Sequence, residues 1–467
     1  MDTQEKLDAD KYIHILQRKF ESILGTEGLD FSLKYMSDDE HLFIEKITWN
    51  FRTLTDGFEN ALQFLMAILS EYFPIYKNTN NSLEKSIVID NICDIFIYCL
   101  ILNTTDKDSR DYVQMNKLKT FINDLVDLAS QTYEQRICTA SFILIKQTQD
   151  AKNILHNLNI DFILFEEKNY INIPDISKYS RAYRLVDGLS LSYVINSDYQ
   201  IIGIAKKRKS HQSIKEICST ITDDRVQFIY LNEKKIYWHL DKDRVLLSEN
   251  FQWKLKDYNV IKSILKDIIA DSHNQTNSAF DSQIQILCNV IKDLSNTNTG
   301  ALFAILDDNF YFEGKLRKYR DKTILNEILV SEKAETANLY KKVITNQTDN
   351  ISIKQNTDPY LIKLIADVDG AVILNKKLKI LDFGRMIQPQ NIDDSTNNNK
   401  KSKKIFSEKF IELPKNKFRS SQDTLDKVSG GARSIATFHA STFGLAIKIS
   451  EDGGITIYRR RKLIFKL

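Results

Sequence analysis

Few of the residues that mark specialised chemistry are present in this chain. Its five cysteines, Cys93, Cys99, Cys138, Cys218 and Cys288, are scattered, with no Cys-x-x-Cys pair and no Cys/His cluster at metal-ligand spacing. That excludes a disulfide framework or a zinc module and makes a reducing, cytoplasmic setting the simplest expectation. Glycine (14) and proline (5) are scarce among 467 residues, which argues against long flexible linkers. Long apolar runs are missing too. The most apolar window, Ile95 to Leu102, follows Asp90 and Asp94 and falls far short of the about 20 residues a membrane-crossing helix needs. Met1 to Asp10 is acidic and polar where a signal peptide requires an apolar core, so neither leader nor membrane anchor is expected. A net charge of +3 singles out neither a nucleic-acid binder nor an enzyme of acidic substrates. There is no Walker-type loop, dinucleotide fingerprint or His-Glu-x-x-His motif.

What is there is ordinary globular material, 42% hydrophobic and 27% charged, long enough for two or three domains. The periodicity divides it into 1–135, an all-helical N-terminal region; 136–255, a smaller α/β region; and 256–467, an α/β domain with a mixed sheet. In the first region Tyr12, Ile13, Leu16, Phe20, Ile23 and Leu24 share a helical face. Phe58, Leu62, Leu65, Met66, Leu69 and Phe73 repeat the pattern up to Pro74, which is expected to close the segment. Further helices are predicted over Leu83 to Leu102 and Ser109 to Thr132. Their apolar faces must be buried against one another or against a partner.

From about Ile137 the period changes to that of strands. Ala140 to Ile145, a short helix over Thr148 to Leu158 and Ile160 to Phe165 read as a βαβ-like unit. A hairpin follows, running from Asp187-Gly188 through an apolar strand and a polar turn to Ile204. It has a later counterpart. Asp369-Gly370 opens the apolar strand Ala371 to Leu374, Asn375-Lys376-Lys377 is the turn, and Leu378, Ile380 and Leu381 begin the return. A second echo pairs Val226 to Leu231, Ile236 to Leu240 and Val245 to Leu247 with Leu445 to Ile449, Ile455 to Tyr458 and Leu463 to Phe465. An internal duplication is one reading; an unrelated small α/β domain is the other. Lys315 to about Asn346 is charged and reads as helical, and Asp393 to Lys404 is a polar, low-complexity insertion.

Four blocks of the C-terminal region carry the chemical signal. Thr299-Gly300-Ala301-Leu302 enters a strand; Asp369-Gly370-Ala371 sets a carboxylate before a glycine at the mouth of the hairpin; Gly430-Gly431-Ala432-Arg433-Ser434 is a glycine turn with an arginine; and Ser450-Glu451 ends a strand. Their order and content resemble the diadenylate cyclase (DAC) domain of the DNA-integrity-scanning family, over roughly Asn274 to Leu467. That family's elements are a Thr-Gly-Ala-Leu strand, an Asp-Gly-Ala hairpin, a Gly-Thr-Arg-His-Arg turn and a strand ending in Ser-Glu-Glu.

The resemblance implies a nucleotidyltransferase fold in which the 3′-hydroxyl of one nucleoside triphosphate attacks the α-phosphate of another, each held by a separate copy of the domain. Carried over residue by residue, it implies Asp369 as the catalytic carboxylate if the protein is active, and Glu451 as a metal ligand. Gly370, Ala371, Gly430, Gly431, Arg433 and Ser450 would be nucleotide-binding. Mg or Mn would be the cofactor where a triphosphate is bound. The chain departs from the pattern where proton transfer and charge neutralisation would occur. Val368 stands where a histidine usually precedes the aspartate, and Ala432, Ser434 and Ile435 replace the threonine, the histidine and the second arginine of the turn.

Binding groups are thus kept better than reacting groups. The first expectation is a sensor of a nucleotide or a cyclic dinucleotide such as c-di-AMP. The alternatives are an active transferase making a dinucleotide second messenger, and an oligomerisation scaffold with a vestigial pocket. Whether the chain is an enzyme stays open at this point. A homo-oligomer through the C-terminal or helical region is compatible with each, and neither a membrane nor nucleic acid is expected as partner. The basic runs Lys206 to Lys209 and Arg459 to Lys462 read as solvated edges or phosphate contacts. His439 lies too far round its helix from Arg433 to replace the lost histidine.

Overall fold

The computed structural model of the chain describes residues 3–24, 29–35, 42–49, 69, 72–79, 81–102, 112–133, 136–137, 139–177, 186–208, 213–218, 225–232, 234–249, 252–270, 278–307, 309–312, 315–318, 329–333, 359–368, 370–387 and 431–467. These form two compact units, Met1–Ser263 (with Leu467) and Ile264–Lys466, each α/β in character and each built on a mixed sheet. Among the described residues no helix is long and apolar enough to cross a membrane.

The first unit opens with α1 (Thr3–Leu24), whose Tyr12, Ile13, Leu16, Phe20, Ile23 and Leu24 are all buried, as their spacing requires. The next segment corrects the all-helical expectation: β1 (Leu29–Tyr35) pairs antiparallel with β2 (Leu42–Trp49). Leu29, Phe31, Leu33 and Tyr35 alternate with polar residues, a period of two that outweighs the helical surroundings. Phe58, Leu62, Leu65 and Met66 lie outside the described residues. Pro74 does not close its segment; the helical stretch 72–78 runs past it to Thr79, whose hydroxyl donates to the Ile75 carbonyl at 2.7 Å. Then come α2 (Ser82–Leu102), α3 (Tyr112–Ser130) and the short pair β3 (Thr132–Tyr133) and β4 (Arg136–Ile137).

The sheet of this unit takes β5 (Ala140–Ile145), β6 (Ile160–Leu164), β7 (Ile171–Asn172), β8 (Leu191–Ile195), β9 (Gln200–Lys207), β10 (Val226–Asn232), β11 (Lys235–His239), β12 (Arg244–Glu249) and β13 (Gln252–Asp257). Their order is β13-β12-β11-β10-β5-β8-β9-β6, with β7 also on β9. The βαβ-like expectation is therefore corrected: α4 (Ala151–Asn157) does follow β5, but β6 lies beyond β9 and pairs antiparallel with it. An apolar run and a short helix do not state which strand their chain returns to.

One face of this sheet is covered by α1, α2 and α3, which share a core with Phe142, Tyr193, Ile229 and Trp238. The apolar helix faces are thus buried on a sheet of their own unit. A buried glutamine joins the layers. Gln227 donates to the Ile101 carbonyl near the end of α2 and accepts from the Trp238 indole, both at 2.8 Å, so polar groups shut off from water keep their partners. The other face packs on α4 and α6 (Ile214–Cys218), α5 being Ile173–Ser177.

The division between units falls within α7 (Tyr258–Ala270). In the second unit α8 (Ser278–Asn296) leads to β14 (Ala301–Leu306), and β15 (Asn309–Phe312) pairs with β16 (Lys315–Lys318). Together with β17 (Leu329–Lys333), β16 corrects the helix expected from Lys315: charge density hid a four-residue strand with a single apolar residue, Leu316. α9 (Pro359–Asp367), β18 (Ala371–Asn375), β19 (Ile380–Ile387), α10 (Ala432–Ala440), β20 (Gly444–Ile449), β21 (Ile455–Arg459) and β22 (Lys462–Lys466) complete it. The insertion from Asp393 to Lys404 lies outside the described residues.

The two sheets have one plan. Among the described strands the second runs β17-β19-β18-β14-β20-β21-β22, with β14 and β18 as its one parallel pair; the first has the same order around β5 and β8, its one parallel pair, plus β13 at the meander end. The hairpin turns also agree. Asn375 accepts the amides of Lys377 (3.0 Å) and Lys379 (2.9 Å) on its side-chain oxygen, and Asn196 accepts those of Asp198 (3.0 Å) and Gln200 (2.9 Å). Leu378 and Tyr199 take the left-handed conformation at the same place, with φ of 53° and 61°. Each turn follows a register shift, between Ile373 and Leu374 and between Val194 and Ile195. Matched order, parallel pair, turn chemistry and bulge favour the duplication reading over an unrelated domain.

Candidate functional site

The register of the C-terminal sheet brings the motif blocks to one end. Ala371 lies beside Leu302 in the parallel pair, so the starts of β14 and β18 are level; Ala301 pairs with Ile449, so Ser450 and Glu451 follow at the same end. α10 lies across this sheet, with Ala436 and Ala440 packed on Leu302, Ala304, Ala371 and Ala446. Small side chains on both surfaces let the helix sit close.

Gly431 is the exposed N-cap of α10, and its carbonyl accepts the Ser434 amide at 2.9 Å. Two residues on, the Arg433 guanidinium lies on the backbone of Gly300, where a Cβ would collide with Nη1. The glycine of the Thr-Gly-Ala-Leu strand is thus the floor under the arginine. Arg433 Nη1 also donates to Glu451 Oε1 at 3.3 Å. The glutamate side chain is 80% exposed, so this pair holds the arginine weakly and is readily exchanged.

Gly370 opens β18 with φ of 110°, a conformation that favours glycine, and Ala371 is buried. Ser450 serves its own turn: its amide and hydroxyl both donate to the Gly454 carbonyl, at 2.8 and 3.2 Å. Burial raises the carboxyl pKa of neighbouring Asp452, but hydrogen bonds within the turn, first that from the Gly454 amide, together with Lys448 outweigh it and hold the group below its ordinary value. Asp369 and Gly430 lie outside the described residues. The structure therefore brings Gly370, Ala371, Gly431, Arg433, Ser450 and Glu451 to one end of the sheet and says nothing of the other two.

Two groups there were not among the expected site residues. Lys448 of β20 donates to Ser434 Oγ at 2.8 Å, and Lys466 of β22 is close enough to oppose its charge. The signal for Lys448 was present, since it is the one charged residue of Gly444–Ile449.

Of the remaining basic and histidine candidates, Arg459 to Lys462 and His439 lie toward the opposite end of this sheet. Arg460 and Arg461 form the β21–β22 turn with φ of 49° and 63°; Arg460 reaches buried Asp307 at 3.4 Å, which Lys376 also meets at 3.2 Å. Arg461 donates to Thr442 Oγ1 at 2.8 Å and lies over the Phe438 ring. In the other unit Arg208 pairs with Asp161. His439 is buried between this turn and Phe438, and burial, then Arg461, holds its imidazole below its ordinary pKa.

A divalent ion such as Mg takes about six oxygen ligands. Among the described residues no group of three or more His, Cys, Asp and Glu side chains gathers, and Glu451 is engaged by Arg433. The described donors therefore do not compose a metal site by themselves.

No protein-family model matches the chain, and no curated protein does. Among solved structures it is similar to a double mutant of DacA from Staphylococcus aureus, with 14% identity over 40% of this chain and 87% of that one and a TM-score of 0.22. At that score the likeness fixes neither fold nor activity.

Proposed function

We propose that the C-terminal unit binds a nucleotide or cyclic dinucleotide at the end of its sheet where Gly300, Gly370, Arg433 and Glu451 meet, and acts as a sensor of that ligand. The observation that carries this reading is the placement of Arg433. A guanidinium laid on a glycine floor beside a helix N-terminus, tied among the described residues to an exposed glutamate, suits an exchangeable phosphate. The apolar row of Ala371 to Leu374 gives such a ligand a rigid support. Mg or Mn would arrive with a triphosphate, and Glu451 would be the carboxylate to meet it.

Binding is favoured over turnover because the positions from which the resembled family supplies reacting groups are otherwise occupied here. Val368 is a buried apolar residue, Ser434 is engaged by Lys448, and Ile435 is 46% exposed and carries no charge. Removing one aligned electrostatic donor typically slows such a reaction about a hundredfold or more.

The test incubates the full chain with each nucleoside triphosphate and with cyclic dinucleotides, with Mg or Mn, and separates bound and converted nucleotide by chromatography. Saturable retention without product, lost in Arg433→Ala, is the expected result. A dinucleotide product that disappears in Asp369→Asn would replace the sensor by a transferase; neither retention nor product would leave a scaffold.

A further inference from the structure

The shared plan of the two sheets allows their ends to be compared residue by residue. Arg433 and Lys215 stand the same distance ahead of Gly444 and Val226, the first residues of β20 and β10. Lys448 and Tyr230 then occupy the same place in those strands, and each pairs with the second residue of the central strand, Leu302 or Ser141. In the N-terminal unit the cation is satisfied internally. Lys215 Nζ lies 4.2 Å from the centre of the Tyr230 ring, and a ring face accepts a cation without any anion.

In the C-terminal unit the ring is replaced by a second cation. Lys448 is half-buried, and burial holds its ammonium below the ordinary lysine value; Lys466 and Arg433 push the same way against the opposing pull of Asp452. Its ammonium donates to a neutral hydroxyl, Ser434 Oγ, while the carboxylate on Arg433 is the exposed Glu451. Like charges brought together at the end of a packed sheet favour an anion between them, and the carboxylates described there are the exposed Glu451 on Arg433 and Asp452 beside Lys448.

Resting on the nucleotide-binding reading above, we propose that Lys448 is a second phosphate-binding residue, acting with Arg433 on the phosphate groups of the ligand. Nothing in the four motif blocks includes it, and it supplies positive charge from a strand rather than from the glycine turn.

The test measures inorganic tripolyphosphate and the retained nucleotide against the full-length protein by titration calorimetry, in wild type, Lys448→Ala, Lys448→Tyr, Lys448→Arg and Arg433→Ala. Lys448→Ala and Lys448→Tyr are expected to weaken both ligands about tenfold or more, the loss typical of a charge-assisted hydrogen bond, with Lys448→Arg recovering most of it. The parent nucleoside without phosphates should bind equally well to wild type and Lys448→Ala. If Arg433→Ala weakens both ligands while the Lys448 variants stay within twofold of wild type, the second-cation assignment is overturned and the nucleotide reading stands. Failure of wild type to bind tripolyphosphate while still retaining the nucleotide also overturns it. If wild type binds neither, both fall. Thermal unfolding of each variant identifies misfolding; should Lys448→Ala unfold, the Lys448→Arg and Lys448→Tyr pair decides.

Discussion

The N-terminal and C-terminal sheets share strand order, the single parallel pair, the asparagine turn and the helix laid over the same face, yet their ends are built differently. In the N-terminal unit the end is closed by its own chain. The amides of Ile214 and Lys215, which begin α6, donate to the carbonyls of Leu189 and Gly188 at 3.1 and 2.8 Å, and the Ser141 hydroxyl donates to Val186 at 2.9 Å. In the C-terminal unit Gly431, at the same place before α10, is exposed, with nothing described within 4 Å of where its Cβ would be. The scaffold tolerates both arrangements because its core lies between the strands and helices, away from the end. Strand order and turn chemistry fix the fold and leave the residues at its end free to differ.

The comparison breaks most directly through the two cations. Arg433→Ala should weaken the retained nucleotide by about tenfold to a hundredfold, whereas Lys215→Ala should leave affinity and stoichiometry unchanged, at one ligand per chain by titration. Two ligands per chain, or an equal effect of Lys215→Ala, would mean that the N-terminal end is open.

The sameness of the scaffold can be tested separately. Asn196→Ala and Asn375→Ala each remove a side chain that accepts two backbone amides, so each should cost its own unit about 1–2 kcal/mol. The chain's three tryptophans, Trp49, Trp238 and Trp253, all lie in the first unit, so fluorescence reports that unit alone and circular dichroism reports both. Urea unfolding should shift the fluorescence transition for Asn196→Ala only. For Asn375→Ala the loss should appear in the dichroism alone.

A smaller effect is expected at Gly300. A methyl there meets first the movable end of Arg433, so Gly300→Ala should fold normally while displacing the guanidinium and weakening the nucleotide about fivefold, or about 1 kcal/mol. Unfolding and binding measured on the same preparation separate the two. A loss of stability with affinity intact would remove Gly300 from the site.

Much of this scaffold was legible before the structure. The hairpin after Ala371 was readable because an apolar run, an Asn-Lys-Lys turn and a second apolar run state a local geometry, and α1 because six apolar residues repeat at the helical period. Thr299-Gly300 and Arg433 were readable as parts of a motif. Their contact was not, since it joins segments far apart in sequence. Lys448 was missed for a related reason: its importance comes from register, which sets it level with Leu302 and Ala371 and opposite Ser434. Ser450 shows the reverse case, a motif residue whose hydroxyl is taken up by its own turn. β1 and β2 were hidden by helical neighbours, and β16 by its lysines, because composition speaks more loudly than alternation over four to eight residues.

Tyr230→Lys asks whether one residue accounts for the difference between the ends. It gives the N-terminal sheet the pair of cations found in the C-terminal one and removes the ring that holds Lys215. The lost cation–π contact amounts to about 0.5–1 kcal/mol. The fluorescence-detected transition should shift by about that much, and more at low salt, where the two lysines repel further. No second ligand should bind, because the first amides of α6 remain bonded to Leu189 and Gly188 and the end stays filled. A second equivalent of nucleotide in this variant would show that the missing charge, and not the closed loop, is what keeps the N-terminal end empty.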